Sequence, residues 1–449
     1  MSGATNGRGL GWLGILRLGL VQTALGAVVV LTTSTLNRVM VVELALPAML
    51  PGALVALHYA VQVLRPRLGY GSDVGGRRTP WILGGMAVLA LGGIAAAASV
   101  ALMAQRPVFG ILLSVVAFTM IGGGVGAAGT SLLVLLAKQV SPQRRAPAAT
   151  IVWLMMIAGF VVTATMAGHL LDPFSPLRLL GVTAGVSLVA FVLAVVAVRG
   201  VERVAAAPDA ARPGAAMPPF RAALAEVWRE PAARRFAIFV FVSMLAYSAQ
   251  DLILEPFAGT VFGLTPGEST RLAGLQHGGV FLGMVLVALA CCGAARGRGG
   301  TLKGWTVGGC LASGVALLLL AAGGFAAPDW PLHGVVFALG IANGAFAVAA
   351  IGSMMGLAGH GRASREGVRM GLWGAAQAVA FGLGGFLGTV AVDVTRWIFD
   401  QLGLAYATVF AGEAMMFLLA AGLALRVGKP VGTSRDALPA AALPALGGD

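Results

Sequence analysis

Residues 69–78 read GYGSDVGGRR, in a short basic gap between two long apolar runs. The spacing is Gly69, three residues, Asp73, two residues, then Gly76-Arg77-Arg78. The glycines allow two helix ends to approach closely. Asp73 can cap a helix and pair with arginine, and the paired arginines hold such a loop on the cytoplasmic side of a membrane. The alternative is a generic basic loop. The apolar runs on either side decide how it is read. A membrane helix needs about 20 apolar residues, and the chain supplies such runs at Leu18–Met40, Ala45–Leu64, Trp81–Leu102, Val108–Leu136, Ala148–Leu170 and Leu179–Val198. After a polar stretch come Phe236–Phe257, Leu272–Cys292, Trp305–Phe325, Leu332–Leu357, Met370–Val392 and Leu404–Val427. Twelve transmembrane helices are expected. Strand-like alternation is sustained nowhere, which argues against a β-barrel.

Composition agrees. The 449 residues are 58% hydrophobic and 10% charged, with a mean hydropathy of +0.90. That is too apolar for a soluble globule. The net charge of +13 raises nucleic acid as a partner, and its distribution argues against one. Arg65, Arg67, Arg77 and Arg78 share a gap, as do Lys138, Arg144 and Arg145, then Arg296, Arg298 and Lys303, then Arg362, Arg365 and Arg369. The intervening gaps hold Asp172, Glu255, Glu268, Asp329, Asp393 and Asp400. This alternation follows the positive-inside rule and predicts both termini in the cytoplasm. The basic charge then meets anionic lipid, with no need for nucleic acid.

The loop is similar to the signature between helices two and three of the major facilitator superfamily, G-x-x-x-D-[RK]-x-G-[RK]-[RK], with Val74 as the one departure. The resemblance implies an all-α integral membrane fold with about 12 helices in two six-helix halves. The chain divides accordingly: an N-terminal bundle over 1–200, a cytoplasmic linker over 201–235, a C-terminal bundle over 236–427 and a cytoplasmic tail over 428–449. The linker pairs a Pro/Ala-rich piece, AAAPDAARPGAAMPP, with FRAALAEVWREPAARR, expected as an amphipathic helix on the membrane surface. The halves echo one another. Arg145 and Trp153 are spaced as Arg365 and Trp373 are, and Gly69, Gly76 and Trp81 as Gly293, Gly300 and Trp305, with Gly297 where the first copy has Asp73.

Other motifs are refused. Gly124-Val-Gly126-Ala-Ala-Gly129 matches G-x-G-x-x-G but sits inside an apolar span, where small residues serve close helix packing. The glycines at 382, 384, 385 and 388 read the same way. Cys291, Cys292 and Cys310 form no metal spacing or disulfide framework. Leu18–Met40 reads as a retained first helix, so no cleavable signal peptide is expected. No catalytic constellation stands out, and no enzyme activity is expected.

A more specific resemblance lies at the first helix and its exit. TTSTLNRVMVVELALPAMLPGALVALHYAVQ, from Thr32 to Gln62, followed by SDVGGRRTPWILGG, is similar to the PucC/LhaA family, the bacteriochlorophyll-delivery branch of the superfamily. The resemblance implies a multi-pass protein of the bacterial inner, photosynthetic intracytoplasmic membrane. Its expected role is to assemble light-harvesting antenna complexes by binding or delivering bacteriochlorophyll or a precursor, by chaperoning antenna subunits, or both. The implied partners are antenna subunits or a reaction-centre/antenna complex, pigment-synthesis enzymes and membrane lipid. A proton-coupled transporter of a small amphipathic solute is the alternative, and a scaffold that does not cycle is a third.

Ionisable groups inside a membrane are expensive and ask for a partner or a role. Asn37, Arg38 and Glu43 lie at the exit of the first helix, and Gln250, Asp251 and Glu255 late in the seventh. Across a central cleft, Arg38 is expected to pair with Asp251 or Glu255, either for substrate or as a structural latch; exposure at the outer surface is the other reading. Glu413 is a lone acid in the twelfth span, either protonated, paired with a polar neighbour or used in proton coupling. His58 and Gln62 share a helical face. His58 is the first candidate axial ligand to a pigment magnesium, and His277 with Gln276 the second; for each the alternative is a packing histidine bonded to a neighbour.

Overall fold

The structure, a computed structural model, describes residues 10–64, 77–141, 144–202, 228–292, 301–359 and 366–426. Its helices are α1 (Trp12–Glu43), α2 (Met49–Val61), α3 (Thr79–Met103), α4 (Pro107–Gln139), α5 (Arg145–Leu171) and α6 (Pro176–Val198). The second half holds α7 (Pro231–Val261), α8 (Pro266–Cys292), α9 (Leu302–Ala326), α10 (Leu332–Gly359), α11 (Glu366–Phe399) and α12 (Leu402–Arg426). Eleven are long and apolar enough to cross a membrane; α2, at 13 residues, is shorter than the expected second span. No strand occurs among the described residues. The linker over 203–227 and the tail over 427–449 lie outside them.

Local chemistry sets the helix starts. Proline occupies the first turn of α3, α4, α6 and α7, where its missing N–H costs nothing. Ser175 Oγ accepts from Arg178 N at 3.1 Å to cap α6, and Thr301 Oγ1 accepts from Gly304 N at 3.0 Å to cap α9. Thr265 and Glu268 form a reciprocal capping box at α8: Glu268 N donates to Thr265 Oγ1 at 3.1 Å and Thr265 N to Glu268 Oε2 at 2.9 Å. Because α7 begins at Pro231, Arg234 and Arg235 belong to it and not to a surface helix, which corrects the expected boundary at 235.

Each half buries its own core. Ile15, Leu18, Met86, Phe118 and Leu132 belong to one, and Phe239, Phe257, Leu317, Phe346 and Phe410 to the other. The refused glycine motif acts in packing. A Cβ on Gly124 would stand 2.6 Å from Leu89 N, so α3 and α4 touch backbone to backbone. Gly384 does the same for α11 on α7, where a Cβ would lie 2.4 Å from Leu245 O.

The halves meet through α2 on α11 and α5 on α8. Two aspartates tie these seams. Asp393 Oδ1 and Oδ2 accept from Ala48 N at 2.9 Å and Met49 N at 2.7 Å, at the start of α2. Asp172 Oδ1 accepts from Gly267 N at 3.2 Å and its Oδ2 lies 3.2 Å from Arg271 Nη1, at the start of α8. Asp393 was expected in an outward gap; α11 runs on to Phe399 and carries it inside the helix.

Candidate functional site

The first helix leaves regular geometry where the family-like string begins. Leu31–Thr35 and Val39–Glu43 form π-type turns, on either side of Leu36–Arg38. Such turns are rare and concentrate at functional sites. A π turn joins residues i and i+5 by a backbone hydrogen bond, so Arg38 and Glu43 come close, and Arg38 Nη1 lies 2.5 Å from Glu43 Oε1. Arg38 Nη2 donates to Leu264 O in the other half at 2.6 Å. This corrects the expected pairing with Asp251 or Glu255. Arg38 is 2% exposed, which also removes outer-surface exposure as its explanation. Room for its guanidinium is made by Gly259, where a Cβ would meet Nη2 at 2.9 Å.

Around this pair the two halves knit into a polar cluster. Asn37 Nδ2 donates to Leu252 O at 2.5 Å, and Thr35 Oγ1 and Thr270 Oγ1 are 3.1 Å apart. The Ser34 hydroxyl donates to Glu255 Oε1. The second carboxyl oxygen of Glu255 has no hydrogen-bond partner among the described residues, and the carboxyl lies within electrostatic reach of Arg38. Glu255 is 1% exposed within α7, so of its two expected places, late in the seventh helix and in an outward gap, the gap is ruled out. One turn earlier Asp251, partly buried, lies near the Gln276 side chain of α8, and its charge reaches Glu413. Gln250 is fully buried, and neither of its amide atoms has a partner among the described residues.

The two histidines differ. His58 is buried in α2, and its Nε2 lies 2.9 Å from Gln62 Nε2, so the ring nitrogen accepts from the amide. Its ring stands edge-on to Tyr59, centroids 4.9 Å apart. Tyr59 begins an aromatic chain that crosses the seam to Phe381 at 5.6 Å, then to Tyr247 at 5.8 Å and Phe346 at 6.2 Å. His277 lies in α8 against Phe160 of α5, centroids 4.9 Å apart, and its Nδ1 has no partner among the described residues.

Of the signature loop, Gly69, Asp73 and Gly76 lie outside the described residues. Arg77 is exposed and Arg78 buried at the start of α3. Sequence reading missed the group that caps this helix: Glu202 Oε1 accepts from Arg78 N at 2.6 Å and Oε2 from Thr79 N at 2.9 Å. Burial alone would raise the Glu202 carboxyl, but hydrogen bonds from Thr79 and Arg78 and the Arg78 charge hold it below its ordinary value. No group of three or more His, Cys, Asp or Glu that could hold a metal occurs among the described residues.

Two six-helix halves facing each other through α2–α11 and α5–α8 define a major facilitator superfamily fold. Solved transporters agree. A POT family transporter in complex with a thioalcohol-conjugated peptide is 13% identical, with a TM-score of 0.68 over 93% of this chain and 97% of that one. A bacterial homolog of the human lysosomal transporter Spinster is 16% identical, with a TM-score of 0.62 over 95% of this chain and 96% of that one. The chain belongs to the PucC family, whose profile, described as PUCC protein, matches residues 35–431. A Rhodobacter capsulatus protein named Bacteriochlorophyll synthase 44.5 kDa chain is 55% identical, over 95% of this chain and 98% of the relative. Protein PucC of the same organism is 28% identical, over 92% and 91%.

Proposed function

We propose that this chain is an assembly factor for bacterial light-harvesting antenna complexes, holding or delivering bacteriochlorophyll or a precursor and chaperoning antenna subunits. The observation that carries this reading is the 55% identity to a relative named for bacteriochlorophyll synthesis, over 95% of the chain, within the PucC family. Its place would be the photosynthetic inner membrane with both termini cytoplasmic, as the alternation of basic and acidic gaps supports. Its partners would be antenna subunits and pigment-synthesis enzymes. The relative's name contains the word synthase; we read the present chain as an accessory to that chemistry, because no nucleophile, base or metal-binding group of the kind catalysis uses is gathered at one place among the described residues.

A chlorin bound as cargo would bring a magnesium with an open axial place, which a neutral ring nitrogen fills. His277 fits this need better than His58. In His58 the ring's one acceptor nitrogen, Nε2, is engaged by Gln62, whereas no hydrogen bond from an amide or hydroxyl is made to His277 Nδ1 among the described residues. Phe160 of α5, its ring centroid 4.9 Å from that of His277, supplies part of the apolar wall that such a ring requires. The test is gentle purification from a pigmented host, with an absorption spectrum and identification of co-purifying proteins. Bacteriochlorophyll, antenna subunits or pigment-synthesis enzymes are expected; the absence of all three overturns the reading.

The second reading, a proton-coupled transporter of a small amphipathic solute, draws on the three acids Asp251, Glu255 and Glu413 inside one half. Gradient-driven flux in reconstituted vesicles that disappears when all three are neutralised would favour it. Unchanged flux would remove coupling through them.

A further inference from the structure

Glu413 does not face the seam between the halves. It lines a groove inside the second half, with α7 as its floor and α11 and α12 as its walls. The groove encloses about 310 Å³ and is bounded by Leu245 and Ala249 of α7, Leu387 and Ala391 of α11, and Val409 and Met416 of α12. Leu387 and Gly412 on its rim are exposed on the outer flank of the bundle, so it opens sideways toward hydrocarbon. Along α12, from Thr408 to Met416, helical rise makes it about 12 Å long.

Its polar content is unusual. The two lining threonines are satisfied: Thr395 Oγ1 donates to Ala391 O at 2.7 Å and Thr408 Oγ1 to Leu404 O at 2.9 Å. Glu413 is 3% exposed, and neither carboxyl oxygen has a hydrogen-bond partner among the described residues. A buried polar group without a partner costs free energy that a bound polar group can remove. Pockets of this size with apolar walls and one placed polar group are characteristic of small-molecule sites.

We propose that the groove is a binding site for a long-chain alcohol that enters laterally from the bilayer. The walls fit an aliphatic chain. A hydroxyl both donates and accepts, so it satisfies the carboxyl in either protonation state. An anionic head would meet no basic side chain among the lining residues. The site lies within one half and stands apart from the pigment reading.

The experiment uses the full-length protein in nanodiscs and a long-chain alcohol carrying a photoreactive diazirine, with crosslinks mapped by mass spectrometry. Saturable labelling of Leu387 or Met416 is expected, competed by unlabelled alcohol. Glu413→Leu should weaken apparent affinity about five-fold or more, the worth of one hydrogen bond, and Glu413→Gln should retain most of it. Gly412→Leu, at a position where a Cβ meets nothing within 4 Å, should block labelling by filling the groove, and serves if Glu413→Leu does not fold. Equal labelling by a matched alkane probe without the hydroxyl, or labelling indifferent to Gly412→Leu, would show ordinary lipid contact and overturn the proposal.

Discussion

Asp172 and Asp393 do the same work at symmetry-related places. Asp172 follows α5 and binds the start of α8; Asp393 lies near the end of α11 and binds the start of α2. The fifth helix of each half thus presents a carboxylate to the second helix of the other. A helix N-terminus has free N–H groups and a positive dipole end, so a carboxylate there is stabilising. The two contacts close the end of the molecule that the charge pattern assigns to the outside.

Alanine at either aspartate should therefore loosen that end. Each loss should cost about 1 kcal/mol of closure, and the double substitution more than either. Gly267→Ala should imitate Asp172→Ala, because a Cβ at Gly267 would stand 2.3 Å from Asp172 Oδ2. Spin labels across the α5–α8 and α2–α11 seams would report the change as a broader, longer distance distribution. An unaltered distribution in the double variant would refute the latch.

Arg38 and Glu43 should respond unequally. Arg38 is almost wholly buried and also serves Leu264 O, whereas the Glu43 side chain is 34% exposed. Arg38→Ala should cost about 3 kcal/mol, because it empties a buried site and strips Leu264 O of its donor, and Glu43→Gln about 1 kcal/mol or less, because the amide oxygen still accepts from Arg38. Arg38→Lys should rescue poorly, since one ammonium cannot reproduce the fork that reaches both partners. Thermal unfolding in detergent decides this; equal melting shifts for Arg38→Ala and Glu43→Gln would contradict it.

Glu202 predicts a pH dependence. Its carboxyl is held below the ordinary 4.5 in the folded protein. A depressed pKa contributes stability that is present above the unfolded value and lost as pH falls through the folded one. The contribution should fade below about pH 4.5 and be absent at every pH in Glu202→Gln. Because the group is partly solvated, the effect should be small. Melting temperatures of the two proteins should differ at pH 7 and converge in acid; parallel curves would rule the cap out as a source of stability.

The apolar runs made the spans legible, and the Thr32–Gln62 string made the family legible. What stayed hidden has identifiable causes. The run around Arg38 mixes polar and apolar residues with no helical period, Thr32, Thr33, Ser34, Thr35 and Asn37 before it and Val39, Met40, Val41 and Val42 after it, so nothing distinguishes a π turn from an α turn. Arg38 was therefore matched to acids of the seventh helix, when its partner is five residues on. Charges near the ends of apolar runs read as loops, which misplaced Asp393 and left Glu255 counted both with the outward gaps and late in the seventh helix; both are inside helices, where donors from the other half meet them. The His58–Gln62 contact was readable from its four-residue spacing. The groove at Glu413 was not, since it needs three helices that are distant in sequence.

The two histidines give the sharpest test of the pigment reading. A nitrogen that ligates magnesium must be free as an acceptor, with the other nitrogen held by a neighbour. His58 Nε2 already accepts from Gln62, so in the neutral ring the proton sits on Nδ1 and neither nitrogen offers a free lone pair, while the ring packs on Tyr59. His277 has an unpartnered Nδ1 among the described residues, and Phe160 lies against its ring across the α5–α8 seam. His277→Leu should lower the ratio of bacteriochlorophyll to protein at similar levels of folded protein, and His58→Leu should leave the ratio closer to that of the parent. Gln62→Leu should leave pigment unchanged and cost about 1 kcal/mol of stability, because it strips a buried ring nitrogen of its donor. The measurement is the near-infrared absorption of purified protein normalised to peptide content. A ratio that falls in His58→Leu and holds in His277→Leu would reverse the assignment, and one that holds in both would take histidine out of pigment binding.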